Sequence, residues 1–276
     1  EGIAVRSGLK RYTLRSNVDF TINKLSGGVN IALGYARSRF TEAVGQTGVG
    51  ASMASVYYAL PYEYPYAPDG TLIHFGNEDD YNILDQREGS AGLERLLNSK
   101  NTEDQLKTIL GFNLAYQIHD NWKATTRLGL DYRNSTMQDY INPNSYYGAR
   151  DNSTTVGGRG RFGEGVGISS SMISTSGITF QKRYAELHEL EASGFYEYVY
   201  DYKKGFNYFG YGIDDRLAES PKSITISNEF MPAIDGSRTH STLMSFIGVA
   251  RYTYGSKYSF IGSYRRDGST KVSKNN

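Results

Sequence analysis

The chain has 276 residues with no cysteine, 24 tyrosines, 31 glycines and a formal net charge of +1. The lack of cysteine excludes disulfides, cysteine metal sites and a cysteine nucleophile within it, and the near-neutral charge does not support nucleic-acid binding, which usually needs a basic patch. Mean hydropathy is negative and no run of about 18 apolar residues occurs. Both features fit a soluble protein, and equally a transmembrane β-barrel, in which only alternate residues face lipid.

The first predicted element is a β-hairpin. Residues 9–22 alternate between apolar and polar, as a strand with two different faces requires. One face carries Tyr12, Leu14, Val18, Phe20 and Ile22, and the other carries Arg11, Thr13, Arg15, Asn17 and Asp19. A tight turn is predicted at residues 25–28, and a second strand continues the apolar face through Val29, Ile31, Leu33 and Tyr35.

A long connection without a comparable strand pattern follows, with one short helix predicted around residues 91–97. The second hairpin alternates from Leu106 to Tyr116, turns at residues 119–121 and returns from Trp122 to Tyr132. Another irregular stretch, 137–167, is rich in glycine. Such long connections count against a compact soluble domain and are typical of the outer loops of membrane barrels.

Two further hairpins complete the chain. A weaker strand at residues 168–181 and a short connection at 182–187 precede the strand 188–202, in which Tyr196, Tyr198, Tyr200 and Tyr202 share one face. After a third long connection, residues 242–254 and 258–264 form a hairpin turning at Gly255 to Lys257. Its apolar face carries Met244, Phe246, Gly248, Ala250, Tyr252 and Tyr254 on the first strand, then Tyr258, Phe260, Gly262 and Tyr264 on the second.

Short and long connections therefore alternate, with the long ones at about 40–104, 136–167 and 203–237. An up-and-down outer-membrane barrel has this arrangement, with short periplasmic turns and long extracellular loops. The strands, of about 10 to 16 residues, exceed the roughly 9 to 11 that a tilted barrel strand needs to cross a bilayer. The sequence thus predicts an all-β, antiparallel, up-and-down transmembrane β-barrel segment of about eight strands.

Three stretches carry motifs that can be compared with known families. Residues 242–276 carry a barrel signature that includes Ser245 to Gly248, Arg251, Tyr252, Thr253, Tyr254, Lys257, Tyr258, Arg265, Arg266, Asp267, Gly268 and Ser269. Residues 1–3 and the run Lys10 to Asp19, with Arg11, Tyr12, Arg15 and Asn17, resemble the early barrel strand. Residues 61–70 resemble a proline- and aromatic-rich extracellular loop. Together these stretches resemble the SusC/RagA-like TonB-dependent outer-membrane transporters, and the matches span nearly the whole chain in that family's order.

The resemblance implies that residues 1–276 are part of a single barrel domain of about 22 strands around a plug. The plug, the TonB box and the C-terminal strands would then lie outside this chain. It also implies active uptake of an oligosaccharide or peptide across the bacterial outer membrane, with outer-membrane lipid around the barrel. A SusD-like lipoprotein would be the partner at the surface, and TonB would act through the absent N-terminal region. A passive porin and a soluble β-sandwich carbohydrate-binding module remain as alternatives.

No catalytic or metal site is predicted, so we expect neither an enzyme nor a cofactor. Four histidines are scattered singly, without the spacing of metal ligands. Two acidic clusters, at 78–80 and 214–215, could hold Ca²⁺ on outer loops but lack the pattern of a calcium loop. The glycine-rich stretch 157–163 lacks the Lys-Ser/Thr of a phosphate loop, and no nucleophile elbow or paired-carboxylate frame occurs.

The most suggestive candidate site is a cluster of loop tyrosines interleaved with prolines, namely Tyr57, Tyr58, Tyr62, Tyr64 and Tyr66. Aromatic side chains on a stiff loop can contact a sugar or a partner protein at low entropic cost. They can equally pack the loop against its neighbours, and both alternatives stay open. The strand-end tyrosines Tyr116, Tyr132 and Tyr254 are predicted to lie at the membrane interfaces.

Overall fold

The computed structural model describes residues 5–40, 64–74, 77, 92–150, 159–217 and 219–271. These residues form one antiparallel sheet of eight strands in sequence order, without a crossover. The strands are β1 (Gly8–Ile22), β2 (Leu25–Phe40), β3 (Ser99–His119), β4 (Trp122–Ile141), β5 (Arg161–Tyr184), β6 (His188–Tyr211), β7 (Ala233–Tyr254) and β8 (Tyr258–Ser269). Two short helices, α1 (Gly92–Asn98) and α2 (Tyr146–Arg150), lie in the connections. The predicted all-β, up-and-down fold class is confirmed.

The sheet has a turn end and a loop end. Two- and three-residue turns join β1 to β2, β3 to β4, β5 to β6 and β7 to β8 at the turn end, and the long connections lie at the loop end. The predicted helix around 91–97 is observed as α1. No helix among the described residues is long and apolar enough to span a membrane.

The first turn differs from the sequence prediction. It lies at Asn23 and Lys24, with Asn23 at φ 53°, and not at residues 25–28. Gly27 and Gly28 belong to β2 and pair with Phe20 and Asp19. A Cβ at Gly27 would lie 2.7 Å from the Phe20 ring, so this glycine provides room for a cross-strand aromatic side chain.

Two faces of different polarity run the length of the sheet. Here the apolar face comprises the even-numbered residues of β1 and β3–β8 and the odd-numbered residues of β2, and the polar face comprises the others. The register brings members of each face together across the strands, for example Phe112 with Leu128, and Tyr252 with Phe260. The alternation predicted for the first, second and last hairpins is confirmed. Arg266 is an exception on the apolar face, where it pairs with Phe246.

The apolar face is exposed and carries two aromatic bands. The lower aromatic band, near the turn end, contains Trp122, Phe180, Tyr252 and Phe260, with the Trp122 and Phe180 ring centroids 4.9 Å apart. The upper aromatic band contains Tyr12, Tyr35, Tyr132 and Tyr202, with Tyr12 stacked on Tyr35 at 6.5 Å. The bands are separated by about ten residues along a tilted strand, or roughly 25 Å, which is the height of the apolar belt on outer-membrane barrels.

From the turn end up to the upper aromatic band, no second layer covers this face in the part of the chain that the structure describes. Leu128 is 46% exposed, Ile22 63% and Phe260 69%. A soluble β-sandwich would instead bury such side chains between two sheets. The observed exposure therefore favours contact with lipid, where apolar side chains are stable.

The strands extend further into the loop end than the sequence predicts. We expected long connections at about 40–104, 136–167 and 203–237, but β3 begins at Ser99, β4 ends at Ile141 and β6 ends at Tyr211. Above the upper aromatic band the strands lose their regular apolar alternation, so the sequence pattern disappears. The backbone ladder persists there, because pairing to a neighbouring strand does not require an apolar face.

Candidate functional site

The connections at the loop end pack into what we call the loop platform, formed by residues 64–74, α1, 142–150 and 212–232 without residue 218. The buried apolar side chains of the described residues all lie there or in the adjoining strand ends. They are Ala67, Ile73, Ile141, Phe162, Tyr211, Ile213 and Phe230. The sheet itself is a single layer, so this platform is where the chain buries a core of its own.

A buried carboxylate ties the first long connection to the second. Glu94 in α1 is 3% exposed, and its Oε1 accepts hydrogen bonds from the Tyr146 backbone N–H at 2.8 Å and from Asn98 Nδ2 at 3.1 Å. Asn142 Nδ2 in turn donates to Asn98 Oδ1 at 3.2 Å. His74 stacks on the Tyr146 ring with centroids 4.5 Å apart. These contacts hold α1, α2 and the segment 64–74 together.

The second and third long connections are also joined. Asn144 Nδ2 donates to Asp215 Oδ2 at 3.1 Å, and the Ile213 N–H donates to the Arg159 carbonyl at 2.7 Å. Gly160 has φ 77°, and a Cβ there would lie 2.6 Å from the Ile141 carbonyl oxygen. Only glycine fits both the backbone conformation and the space.

The third connection folds over the apolar face at the top of β5 and β6. Ile224 lies against Gly210, where a Cβ would approach it to 2.4 Å, and Phe162 is completely buried. Glu219 forms an ion pair with Lys100 at the start of β3. The platform therefore extends over the rim of the sheet as well as across its end.

A cavity of about 480 Å³ opens where the loop end meets the sheet. Its lining contains several hydrogen-bonding side chains, including Asn101, Gln138 and Asn207, with Tyr208 and Tyr211 beside them. Arg161 and Asp139 form an ion pair in its wall. The cavity thus presents charged, amide and aromatic groups together.

The polar face carries paired charges of both signs. Arg265 Nη2 donates to Glu197 Oε1 and to Ser245 Oγ, each at 3.1 Å, while its Nε donates to Asp267 Oδ1 at 2.8 Å. Ser245 beneath it is fully buried. Lys107 and Asp131 form a second pair at 3.2 Å. This face is suited to water and polar solutes.

The structure places part of the predicted tyrosine cluster. Tyr64 and Tyr66 lie in the loop platform, 64% and 49% exposed, and Tyr66 forms an isolated bridge with Leu72. Tyr57, Tyr58 and Tyr62 lie outside the described residues. The two described tyrosines therefore offer accessible aromatic surface at the loop end.

The motif residues divide between the two faces. Arg11, Arg15, Asn17, Arg251, Arg265, Asp267 and Ser269 lie on the polar face, and Tyr12, Tyr252, Tyr254, Tyr258, Arg266 and Gly268 lie on the apolar face. At the turn end Tyr252 accepts or donates a 2.6 Å hydrogen bond with His188 Nδ1. The motif thus places most of its aromatic side chains on the apolar face and most of its charged side chains on the polar face.

One acidic cluster proposed for Ca²⁺ is engaged by an arginine. Asp214 accepts from Arg216 Nε at 2.9 Å and from Arg216 Nη2 at 2.7 Å, and these hydrogen bonds hold the pKa of Asp214 below its usual range. The cluster at 78–80 lies outside the described residues. Within the described residues, no three His, Asp or Glu side chains are grouped to hold a metal ion.

The sequence did not reveal Glu94, Asn98 and Asn142 as the residues that hold the platform together. Their partners are far apart in the chain, and α1 and α2 are too short to show a periodic pattern. The Asn142-Pro143-Asn144 run is a local signal that could have indicated a defined turn there.

Comparison with known proteins gives relatives over the full chain. No family model matches. TonB-dependent receptor P3 of Formosa agariphila is 26% identical over 289 residues, and TonB-dependent receptor P26 of the same organism is 26% identical over 293 residues. Each alignment covers 100% of this chain but 26% of the relative. The chain therefore spans about a quarter of the length of these curated relatives.

Solved structures share the fold. The RagAB peptide transporter has a TM-score of 0.76 at 19% identity over 98% of this chain and 29% of its own. The RagAB peptide importer in the open-open state gives 0.75 at 19% identity, over 98% of this chain and 28% of its own. The eight-stranded sheet thus matches part of a larger barrel wall, and the predicted barrel segment is confirmed.

Proposed function

We infer that this chain is an outer-membrane β-barrel segment of a TonB-dependent receptor, because its relatives over the full chain carry that name and its sheet has the fold of part of the RagAB transporter. The apolar face then contacts lipid, and the polar face lines the lumen. Short turns lie on the periplasmic side of such barrels and long loops on the outside. The loop platform is therefore at the cell surface.

The whole protein is proposed to import a large nutrient, an oligosaccharide or a peptide, in a TonB-dependent manner. The observation that carries this proposal is the ordered platform of surface loops above a lumenal wall of mixed charges, with the cavity of Asp139 and Arg161 between them. Substrate captured at the surface would pass from aromatic and amide groups to the charged lumen. The platform would also receive a surface lipoprotein of the SusD type, with exposed Tyr64 and Tyr66 as contacts.

Energy coupling would come from TonB acting on the plug, as the receptor relatives' name suggests. This chain supplies wall and loops, so its own residues bind and guide the substrate and do not catalyse a reaction. We propose no cofactor for that role. A passive porin, the nearer alternative, would have the same wall but no energy requirement.

Uptake by whole cells tests the proposal. Cells making the full-length protein are incubated with labelled oligosaccharides or peptides, before and after dissipation of the proton-motive force and with or without TonB. We expect the labelled substrate to accumulate inside untreated cells above its external concentration. This accumulation should be lost when the proton-motive force is dissipated and also when TonB is absent. Equilibration that continues without TonB would favour a porin, and failure of both ligand classes to enter would contradict import of either.

A further inference from the structure

The apolar face changes character just above the upper aromatic band. Among the described strands its Lys and Arg residues at the loop end are Lys10, Arg37, Arg39, Lys100, Lys204 and Arg238, while its carboxylates are Asp104 and Glu164. The polar face, by contrast, mixes both signs throughout, as the pairs Lys107–Asp131 and Arg265–Glu197 illustrate. Apart from Lys182 near the turn end and Arg266 in β8, the Lys and Arg residues of the apolar face in the described strands therefore lie at this one level.

Most of these cations gather over β1, β2 and β3 in what we call the basic patch, made of Arg6, Lys10, Arg37, Arg39 and Lys100. They line a cavity of about 470 Å³. Lys10 and Arg37 are directly opposite each other in the β1–β2 register, an arrangement of like charges that is unfavourable unless an anion lies between them. The nearest rows below are Tyr12 and Tyr35 of the upper aromatic band.

The described carboxylates do not neutralise the patch. Asp104 lies 3.7 Å from Arg37 Nε in a half-exposed pair and also accepts the Tyr35 hydroxyl at 2.7 Å. Glu219 is paired with Lys100. In the part of the chain that the structure describes, Lys10 and Arg39 form no ion pair. Two carboxylates thus face five cations.

A second pair of opposed cations lies on the apolar face just above the upper aromatic band. Lys204 and Arg238 are opposite each other in the β6–β7 register, one step above Tyr202 and His240. They line another cavity of about 480 Å³ with Ile168 and Phe206. Like-charged pairs thus recur two residues above the upper aromatic band on two separate pairs of strands, which is the arrangement expected if membrane depth sets their position.

We propose that the basic patch binds the phosphate-bearing headgroup of an outer-leaflet lipid. The aromatic band below fixes the depth of the acyl chains, and the cations above it lie where the headgroup phosphates begin. Arginine binds phosphate with parallel hydrogen bonds, and lysine supplies a point charge. The loop platform closes the site from above through Lys100 and Glu219, so the headgroup would lie between platform and bilayer.

Lipid binding to the full-length protein in nanodiscs tests the proposal. The lipid probe is lipid A carrying its two phosphates, compared with the same lipid after dephosphorylation. One variant combines Lys10→Gln, Arg37→Gln and Arg39→Gln. The matched control removes three cations at the turn end, Lys24→Gln, Lys182→Gln and Lys257→Gln. Heat-modifiable gel migration verifies that both variants form barrels.

We expect the wild type and the turn-end control to prefer phosphorylated lipid A, and the patch variant to bind it on the order of a hundredfold more weakly, since each cation near an anionic surface contributes about fivefold. Equal wild-type binding of both lipids would overturn the proposal even if the patch variant fails to fold. Displacement by millimolar inorganic phosphate would indicate a site for small anions instead. If the patch variant loses a bound surface protein but binds lipid A as the wild type does, the basic patch is a protein interface, and this result would also overturn the proposal.

Discussion

Replacing Leu128 with arginine is expected to lower the free energy of unfolding in lipid by about 2–4 kcal/mol, the cost of a lipid-facing cation at the bilayer midplane. Leu128 is on the apolar face of β4, midway between Trp122 and Tyr132 of the two aromatic bands, and is 46% exposed. Urea unfolding of the full-length protein refolded into lipid vesicles gives the measurement.

Ser171→Arg is the matched control for Leu128→Arg. Ser171 lies on the polar face at a similar depth, between Asp131 and Asp201 in the register, so an arginine there meets water and two carboxylates. We expect this variant to stay within about 1 kcal/mol of the wild type, because opposite charges across strands are mildly favourable. Equal losses for both variants would contradict the division of the sheet into a lipid face and a lumenal face.

Truncation of Glu94 to alanine is expected to loosen the loop platform. It removes the acceptor of the Tyr146 N–H in a partly buried place, which costs about 1–3 kcal/mol. It also removes one acceptor of Asn98 Nδ2, which keeps its hydrogen bond to the backbone carbonyl of residue 94. Hydrogen exchange of the full-length protein should show roughly tenfold or faster exchange in residues 142–150, with the strands unchanged.

Glu229→Ala provides the control for the platform, since Glu229 is exposed within the same group of loops and its side chain does not bridge them. Glu94→Gln keeps an oxygen that can accept from Tyr146 and should fall between the wild type and the alanine variant. If Glu94→Ala and Glu229→Ala exchange alike, the buried carboxylate does not hold the platform together.

Most of the sheet could be predicted from the sequence because lipid and water impose opposite demands on alternate residues. The pattern was clear where the strand crosses the proposed bilayer, as from Trp122 to Tyr132, and the last turn at Gly255 to Lys257 was placed correctly. The alternation of apolar and polar residues disappears above the upper aromatic band, so it does not predict the extensions of β3 to Ser99 and of β6 to Tyr211.

Local composition misled the prediction at the first turn. Two consecutive glycines usually indicate a turn, but Gly27 is needed in β2 because the Phe20 ring lies over it, and Asn23 adopts the positive φ instead. Asparagine tolerates that conformation better than most residues. A cross-strand contact of this kind is visible only once the register is known.

The candidate site was the least predictable part. Tyr64 and Tyr66 were identified from composition, yet the contacts that order the platform join Glu94 to Tyr146 and Asn144 to Asp215, and single residues on separate loops leave no pattern in a sequence. The basic patch was hidden for a similar reason, since Lys10, Arg37 and Lys100 lie on three different strands.

Thiol labelling of intact cells tests the central claim, the outer-membrane topology of this segment, most directly. This chain has no cysteine, so Thr71→Cys in the loop platform and Ser256→Cys in the last turn add single labelling sites to it. Each is probed with a membrane-impermeant maleimide in the full-length protein, after any cysteine outside this chain has been replaced by serine. We predict that Cys at 71 reacts in intact cells and that Cys at 256 reacts only after the outer membrane is permeabilised. Reaction of the turn cysteine in intact cells, or protection of the loop cysteine until permeabilisation, would contradict the topology.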